Sequence, residues 1–460
     1  MSTASFHSLG CRLNQTEAAG WAGAFKAKGY QIVEWGTPSD LVVINTCSVT
    51  ERGEAACRAA IRQALRRQPE AFVVVTGCYA QVGLEALRSI EGIDMIVGTE
   101  YKNKFPALIE EPRKLDDPIV LHSALIDDAD FEVSGTGHYH TTRANLKVQD
   151  GCDFFCSFCI IPFTRGRERS RKLSDLLREA AELAERGYKE IVVTGVNIGR
   201  YRQQGTTFAG MIRRLEEIDL LERIRITSIE PTTIEPSLVE HMARSEKLCH
   251  YFHIPIQSAS DTVLDQMNRR YTQAEYRDFV ERVVDTVPDV GLGTDVIVGF
   301  PGETDQTFEK TFRFLESLPF AYFHVFSYSK RYGTKAARLD GHVHSHVIKE
   351  RSQALRRLSS AKRREFASRY LGKSVDVLFE QQDENGLWTG LTSNYLRVGV
   401  VSPEPLRNAI ESVTIRDVPD ETTELTMGSL NSSAGRTADP SPTPAWETAA
   451  SQRSAPPRPQ

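Results

Sequence analysis

The chain has 460 residues, 40% of them hydrophobic and 25% charged, with a formal net charge of -5, so at least two domains with buried cores are predicted. No apolar run approaches the roughly 18 residues of a membrane helix, and the opening MSTASFHSLGCRLN lacks the basic-then-apolar layout of a secretory signal, so a cytoplasmic protein is expected. Eight cysteines are too few for a disulfide scaffold of this length, while the acidic balance argues against an unspecific nucleic-acid coat and allows only a local basic surface.

Short apolar runs alternate with helical stretches from the start: SFHSLGC, TEAAGWAGAFKAKGY, DLVVINTC, EAACRAAIRQALRRQ, AFVVVTGC and IDMIVGTE. This alternation predicts an α/β fold, with a doubly wound domain of buried parallel strands over 1–110. From 111 to 139 the pattern dissolves into PRKLDDP, IDDAD and SGTGHYH, which read as linker. Six strand-like runs follow: ANLKVQDG, EIVVTGV, RIRITSIE, YFHIPIQS, GLGTDVIVGF and YFHVFSYS, with helical patterns between them. They predict a partial (βα)6 barrel, too short for a full barrel of about 250 residues. With the long basic helix HVIKERSQALRRLSSAKRREFASRYLG, this second domain spans 140–370. The runs SVDVLFEQ, LWTGLTSNYLRVGVV and AIESVTIRDV predict a small antiparallel β-barrel over 371–430, and the Pro-, Ser- and Ala-rich 431–460 reads as a disordered tail.

The block GCDFFCSFCIIPFTRGRERSR places Cys152, Cys156 and Cys159 in one loop directly after the first barrel strand. Three thiolates hold three irons of a [4Fe–4S] cluster and leave the fourth iron without a protein ligand. In radical enzymes that open iron chelates the amino and carboxylate groups of S-adenosylmethionine, and an electron from the cluster breaks the C–S bond to leave a 5′-deoxyadenosyl radical. Loops at the C-terminal ends of barrel strands are where such folds keep their chemistry. The competing reading is a structural zinc site, for which His138 and His140 are upstream candidates for a further ligand.

Cys11, Cys47 and Cys78 each end a predicted strand. Carboxyl ends of parallel strands in one sheet converge on a shared crevice, so these thiols predict a second three-ligand [4Fe–4S] site. Three unrelated core cysteines are the alternative. Cys57 reads as packing on a helix face and Cys249 as a structural thiol. In the barrel, Gly195 and Asn197 of TGVNIG follow the second strand, while Glu230 and Gln257 end the third and fourth; all four are candidates to face S-adenosylmethionine or the substrate. Asp295 and the GFPGET turn read as framework as readily as function.

In order along the chain, LGCRLNQTE, INTCSVT, TGCYAQ, VQDGCDFFCSFCIIPFTRGRERSR, TGVNIG, HIPIQSAS, DVIVGFPGET and FSYSKRYGTKAA resemble the radical S-adenosylmethionine methylthiotransferases over residues 6–430. The resemblance implies an N-terminal methylthiotransferase domain, a radical barrel, and a C-terminal TRAM domain that holds RNA. LGCRLNQTE is similar to the branch acting on N6-threonylcarbamoyladenosine at position 37 of tRNA. Other branches act on isopentenyladenosine-37 or on an aspartate of a ribosomal protein.

The resemblance further implies two [4Fe–4S] clusters and S-adenosylmethionine. The Cys152/Cys156/Cys159 cluster would generate the radical, while the Cys11/Cys47/Cys78 cluster would carry sulfur, accept a methyl group, and deliver methylthio to C2 of adenine. An unactivated aromatic C–H bond offers neither an acidic proton nor a leaving group, so cofactors must carry the hard step. The implied partners are tRNA, through its anticodon loop, and an electron donor such as a flavodoxin or ferredoxin; no sulfur donor is named.

For RNA contact, Arg165, Arg167, Arg169, Arg171 and Lys172 follow the radical cysteines, and Lys349 to Arg369 forms a second basic stretch. Such cations would neutralise phosphates of an anticodon loop. Solvated helix faces and intramolecular ion pairs account for most of the second stretch, because Glu350 and Glu365 lie among its cations. Asp376, Glu380, Asp383 and Glu384 make the first hairpin of the C-terminal module acidic, which runs against strong RNA binding. A zinc-dependent RNA-binding protein without catalysis is the reading from a different class.

Overall fold

The computed structural model describes residues 1–126, 141–418 and 425–431. Its N-terminal layer is a six-stranded parallel sheet in the order Gln31–Val33, Thr3–Ser8, Leu41–Thr46, Phe72–Gly77, Met95–Val97, Ile119–Leu121. The central strands Leu41–Thr46 and Phe72–Gly77 are buried at every position, which is why they read as continuous apolar runs rather than as alternation. Helices cover both faces: Trp21 and Phe25 of Arg12–Ala27 pack against Val43 and Val74, while Cys57 and Ile61 of Glu51–Arg67 pack against Val42, Ile44 and Val73. Two three-residue edge strands escaped the sequence pattern, and one of them, Ile119–Leu121, lies in the stretch read as linker.

The six expected strands form two parallel sheets: Ala144–Lys147, Glu190–Thr194 and Arg223–Ile226, then Tyr251–His253, Gly291–Val298 and Tyr322–Ser327. Single bridges from Ile224 to Leu248 and from Ser228 to His253 join them into one curved wall. Alternation sorts the side chains. Leu146, Val193, Ile226, Phe252, Leu292 and Phe323 pack with the outer helices, whereas Arg225, His253, Asp295 and His324 line an inner cavity. Along the last strand lies the helix Ser345–Ser368, whose Ser359 hydroxyl accepts from the Phe323 N–H at 2.9 Å and donates to its carbonyl at 2.8 Å.

Five C-terminal strands close into a barrel in the order Ser374–Gln382, Leu387–Thr392, Arg397–Val401, Thr426–Leu430, Ile410–Asp417. The expected antiparallel pairing holds at four seams, and the Arg397–Val401 seam with Thr426–Leu430 is parallel. Closure leaves no free edge. This barrel docks on the larger one through arginines. Arg225 donates to the Thr392 and Ser393 carbonyls and to Glu190 at 2.6 Å, and Arg143 donates to Glu380 at 2.7 Å. The acidic hairpin is therefore partly spent inside the molecule, because Glu380 anchors the docking and Asp383 accepts from the Asn385 and Leu387 N–H groups of its own turn. His138, His140 and the tail beyond 431 lie outside the described residues.

Candidate active site

Cys152, Cys156 and Cys159 share the loop after Ala144–Lys147, whose base is closed by the Gln149–Asp150 and Arg169–Ser170 pairing. The loop is stapled from outside: Ser157 N–H donates to the Met267 carbonyl at 2.9 Å, and the Asn268 amide donates to the carbonyls of Phe154 and Phe155. All eight cysteines are free thiols. Burial pushes the Cys159 thiol up to about 12, with Cys156 and Cys152 adding to the shift, and burial also raises Cys152. Arg269 answers that charge demand, since one guanidinium nitrogen lies 3.4 Å from Cys156 Sγ and another donates to Glu230 at 2.6 Å.

The predicted cofactor residues surround this loop unevenly. Asn197 Nδ2 reaches 3.9 Å from Cys152 Sγ, and its buried Oδ1 has no partner among the described residues. Gly195 is required by protein packing rather than by open space, because an added Cβ would lie 2.6 Å from Ile198 and 3.0 Å from the Gln149 carbonyl. Glu230 is tied to the loop through Arg269; burial raises its carboxyl against that pairing. Gln257, at φ +66°, is fixed by its backbone to the Asp295 carbonyl and the Ile297 N–H.

Cys11, Cys47 and Cys78 follow three adjacent strands of the N-terminal sheet. A Cβ added at Gly10 would lie 3.3 Å from Cys47 Sγ, so the Cys11 loop rests against Cys47. Burial raises the Cys47 and Cys78 thiols. Beside them the buried hydroxyls of Ser48 and Thr76 have no partner among the described residues. Cys57 is not a fourth member facing the crevice: its sulfur is held by the Cys47 peptide N–H at 3.2 Å inside the core, and burial pushes it up to about 11. Cys249 is likewise buried.

Ligand spacing tests whether these trios suit a cluster. Zinc bonded at about 2.3 Å would draw tetrahedral sulfurs to about 3.8 Å apart. Among the described residues only His253, Asp295 and His324 bring three ligand atoms within 4.8 Å of one another. Neither thiol trio falls within that limit, so its sulfurs are not drawn together as a zinc tetrahedron requires. Three free thiols and orphaned buried polar atoms at each place fit a [4Fe–4S] group.

Between the trios lies a buried charge network that sequence reasoning missed. Glu17 accepts from Lys102 at 2.9 Å, Lys147 at 2.8 Å and Arg165 at 2.9 Å, and Asp150 meets the same three at 2.8, 2.7 and 3.1 Å. Burial alone would raise both carboxyls, yet the three cations hold each well below the usual carboxylate range. Arg165 also donates to Asn14 at 3.1 Å, and Asn14 accepts from Cys11 Sγ at 3.2 Å.

The network corrects the reading of the arginine string as a phosphate surface. Arg165 and Arg171 are buried in ion pairs, the latter with Glu179, and Arg169 is largely buried beside Asp150. Arg167 and Lys172 remain exposed. In the second basic stretch Arg351 is buried against Glu303 and Asp305, in keeping with an intramolecular role, while Arg356, Arg357 and Arg369 are exposed.

Residues 146–315 match the model of the Radical SAM superfamily, and residues 3–98 match the one described as Uncharacterized protein family UPF0004. The chain is 38% identical over 423 residues to the threonylcarbamoyladenosine tRNA methylthiotransferase MtaB of Bacillus subtilis, covering 90% of this chain and 94% of that protein. The chain belongs to the radical S-adenosylmethionine methylthiotransferase family. This methylthiotransferase is 36% identical to the MtaB of Aquifex aeolicus, over 86% of this chain and 95% of that one. It is 33% identical to the tRNA-2-methylthio-N(6)-dimethylallyladenosine synthase of Acetivibrio thermocellus, over 90% and 88%. In fold it is similar to the radical S-adenosylmethionine methyltransferase TsrM from Kitasatospora setae, solved with cobalamin and a [4Fe-4S] cluster, at TM-score 0.54, 15% identity, and coverage of 85% and 77%. No helix among its described residues is long and apolar enough to cross a membrane.

Proposed function

We propose that this methylthiotransferase inserts a methylthio group at C2 of N6-threonylcarbamoyladenosine at position 37 of tRNA. The observation that carries the substrate is the order of similarity, 38% to an MtaB against 33% to a dimethylallyladenosine synthase at equal coverage of this chain. Cys152, Cys156 and Cys159 hold one [4Fe–4S] cluster, and Cys11, Cys47 and Cys78 hold the second. When bound, the clusters and S-adenosylmethionine supply the one-electron chemistry and the sulfur.

The protein's own residues position and neutralise. Asn197 offers its unpartnered Oδ1 to the amino group of S-adenosylmethionine. Glu230 fixes Arg269 beside Cys156, and Arg269 offsets negative charge at that site. Gly195 keeps the turn that presents Asn197 narrow, and Gln257 closes the cofactor seat from the fourth strand. Arg165 sits between the two thiol trios, linked to Cys11 through Asn14 and carried by a helix of five residues that begins two positions after Cys159. That helix rises only about 7.5 Å, which keeps the Arg165 link from the Cys159 loop to the Cys11 loop short; the reaction requires both sites to open on one substrate.

The tRNA presents its anticodon loop, whose unpaired bases can be splayed out and read. A flavodoxin or ferredoxin supplies electrons, and the reaction takes place in the cytoplasm. Mass spectrometry of nucleosides from tRNA, with and without the gene, tests the proposal. The methylthio form of threonylcarbamoyladenosine should vanish on deletion, and its persistence would refute the assignment.

A further inference from the structure

Inside the barrel lies a cavity of about 220 Å³ to which the proposed function gives no role. Gly195, Asn197, Glu230 and Gln257 do not line it; its walls include Arg12, Ser228, His253, Asp295 and His324. It therefore lies apart from the seat assigned to S-adenosylmethionine. The floor is aromatic: the Tyr251 hydroxyl bonds to that of Tyr322, and Tyr395 of the C-terminal barrel stacks on Tyr251 at 4.4 Å. On another side stands Arg12, the residue after Cys11, donating to Asn145 at 3.3 Å. The cavity thus runs from Arg12, next in sequence to Cys11, to an aromatic floor.

Its polar groups are arranged rather than scattered. Asp295 Oδ1 accepts from His253 Nε2 at 2.8 Å and from His324 Nδ1 at 3.1 Å. The other ring nitrogen of His253 faces the Tyr251 hydroxyl at 3.3 Å, so that ring is pinned on both sides. His324 is pinned on one side only. Its ring is half-exposed, and Nε2 has no hydrogen-bond partner among the described residues. The three residues could in principle surround one divalent ion. Each imidazole, however, already spends a nitrogen on Asp295, and an ion would have to break both bonds. A guest carboxylate that accepts from Arg12 and from Nε2–H of His324, with both ring nitrogens of His324 donating, breaks neither.

We propose that this cavity receives the N6 substituent of the target adenosine and that Arg12 and His324 bind its carboxylate. The inference rests on the threonylcarbamoyladenosine reading above. Adenine C2 must lie between the thiol trios, and N6 stands on the same edge of the base, so a substituent there extends past Arg12 into the barrel. The volume is below the roughly 300–1,000 Å³ of drug-sized sites, which suits a substituent. A threonylcarbamoyl group brings a carboxylate, a hydroxyl and an N–H to these walls. A dimethylallyl group would leave His324 Nε2 without a partner and offer Arg12 no acceptor beyond Asn145, and sites built for hydrogen bonding reject analogues that lack them.

The test uses the reconstituted full chain and synthetic anticodon stem-loops carrying threonylcarbamoyladenosine, dimethylallyladenosine or adenosine at position 37. His324→Leu, with iron content as the control for folding, should raise KM for the threonylcarbamoyl loop at least tenfold and narrow its preference over the dimethylallyl loop. His324→Gln, which keeps a hydrogen-bond donor, should recover part of the loss, and Arg12→Gln at wild-type iron content should show the same narrowing. Equal loss on all three loops, or an unchanged KM, would overturn the cavity assignment. So would one zinc or manganese ion per chain that His324→Leu releases. Wild-type protein inactive on the threonylcarbamoyl loop would instead overturn the substrate reading itself, before any variant is compared.

Discussion

Arg165 Nη1 donates to Glu17 Oε1 at 2.9 Å, joining the loop that carries one thiol trio to the helix that follows the first cysteine of the other. With Lys102, Lys147 and Asp150 it forms a buried group of three cations and two anions. Thiolates bearing iron would be anionic sites, and a surplus cation here would lower the cost of burying them. The pair also holds the N-terminal sheet against the barrel.

Glu17→Ala strands buried cations without a partner. It should destabilise the protein by about 3–5 kcal/mol, the usual cost of breaking a buried pair. Chemical denaturation of the cluster-free chain measures this. A change within about 0.5 kcal/mol, the range of surface substitutions, would mean the network carries no load.

The two trios should separate by function. Cys156→Ala should abolish reductive cleavage of S-adenosylmethionine, read as formation of 5′-deoxyadenosine. Cys47→Ala should preserve cleavage while losing methylthiolation. Retained methylthiolation by the Cys47 variant would contradict the assignment of the N-terminal trio to sulfur delivery.

RNA contact should concentrate where cations and aromatic rings remain exposed beside the Cys152 loop. The Arg167 guanidinium lies 5.3 Å from the Phe155 ring centroid, and Phe155 meets Phe163 edge-on at 6.1 Å. Phe163→Ala should weaken anticodon stem-loop binding by about 1–3 kcal/mol, the worth of a base stack, without changing its salt dependence. Arg167→Ala should lower the salt slope by about 1. Titrations at several salt concentrations distinguish the two, and a Phe163 variant with wild-type affinity would remove this surface from the interface.

Acid should loosen the docking of the C-terminal barrel. Burial works against the charge on Glu190, yet Arg225 and Arg143 hold its carboxyl below the ordinary value. A depressed folded value contributes stability that is present above the unfolded value near 4.3 and lost as pH falls through the folded one. Glu190→Gln should therefore flatten the loss of stability between pH 5 and 3, measured by denaturant midpoints. A variant as acid-sensitive as the wild type would assign that loss to other carboxylates.

The strands, and the placement of the cysteines just after them, were legible in the sequence for identifiable reasons. Leu41–Thr46 and Phe72–Gly77 are buried at every position, so their apolar runs are unbroken, and Cys47 and Cys78 directly follow them. Ile119–Leu121 was not legible, because three residues at a sheet edge carry no period. Glu17 was passed over and Arg165 misjudged because their partnership spans 148 residues. A glutamate inside LGCRLNQTE and an arginine in a basic string both look solvated until the chain is folded. Asp295 was left between framework and function for the same reason: His253 and His324 lie on the neighbouring strands, and only the barrel places one on each side of the carboxylate.

Iron bound per chain after anaerobic reconstitution tests the central claim most directly. Two three-thiolate [4Fe–4S] sites predict about eight irons with little zinc, and about four irons once Cys152, Cys156 and Cys159 are all replaced by alanine. Four irons in the wild type, or loss of all iron from that triple variant, would contradict two independent clusters.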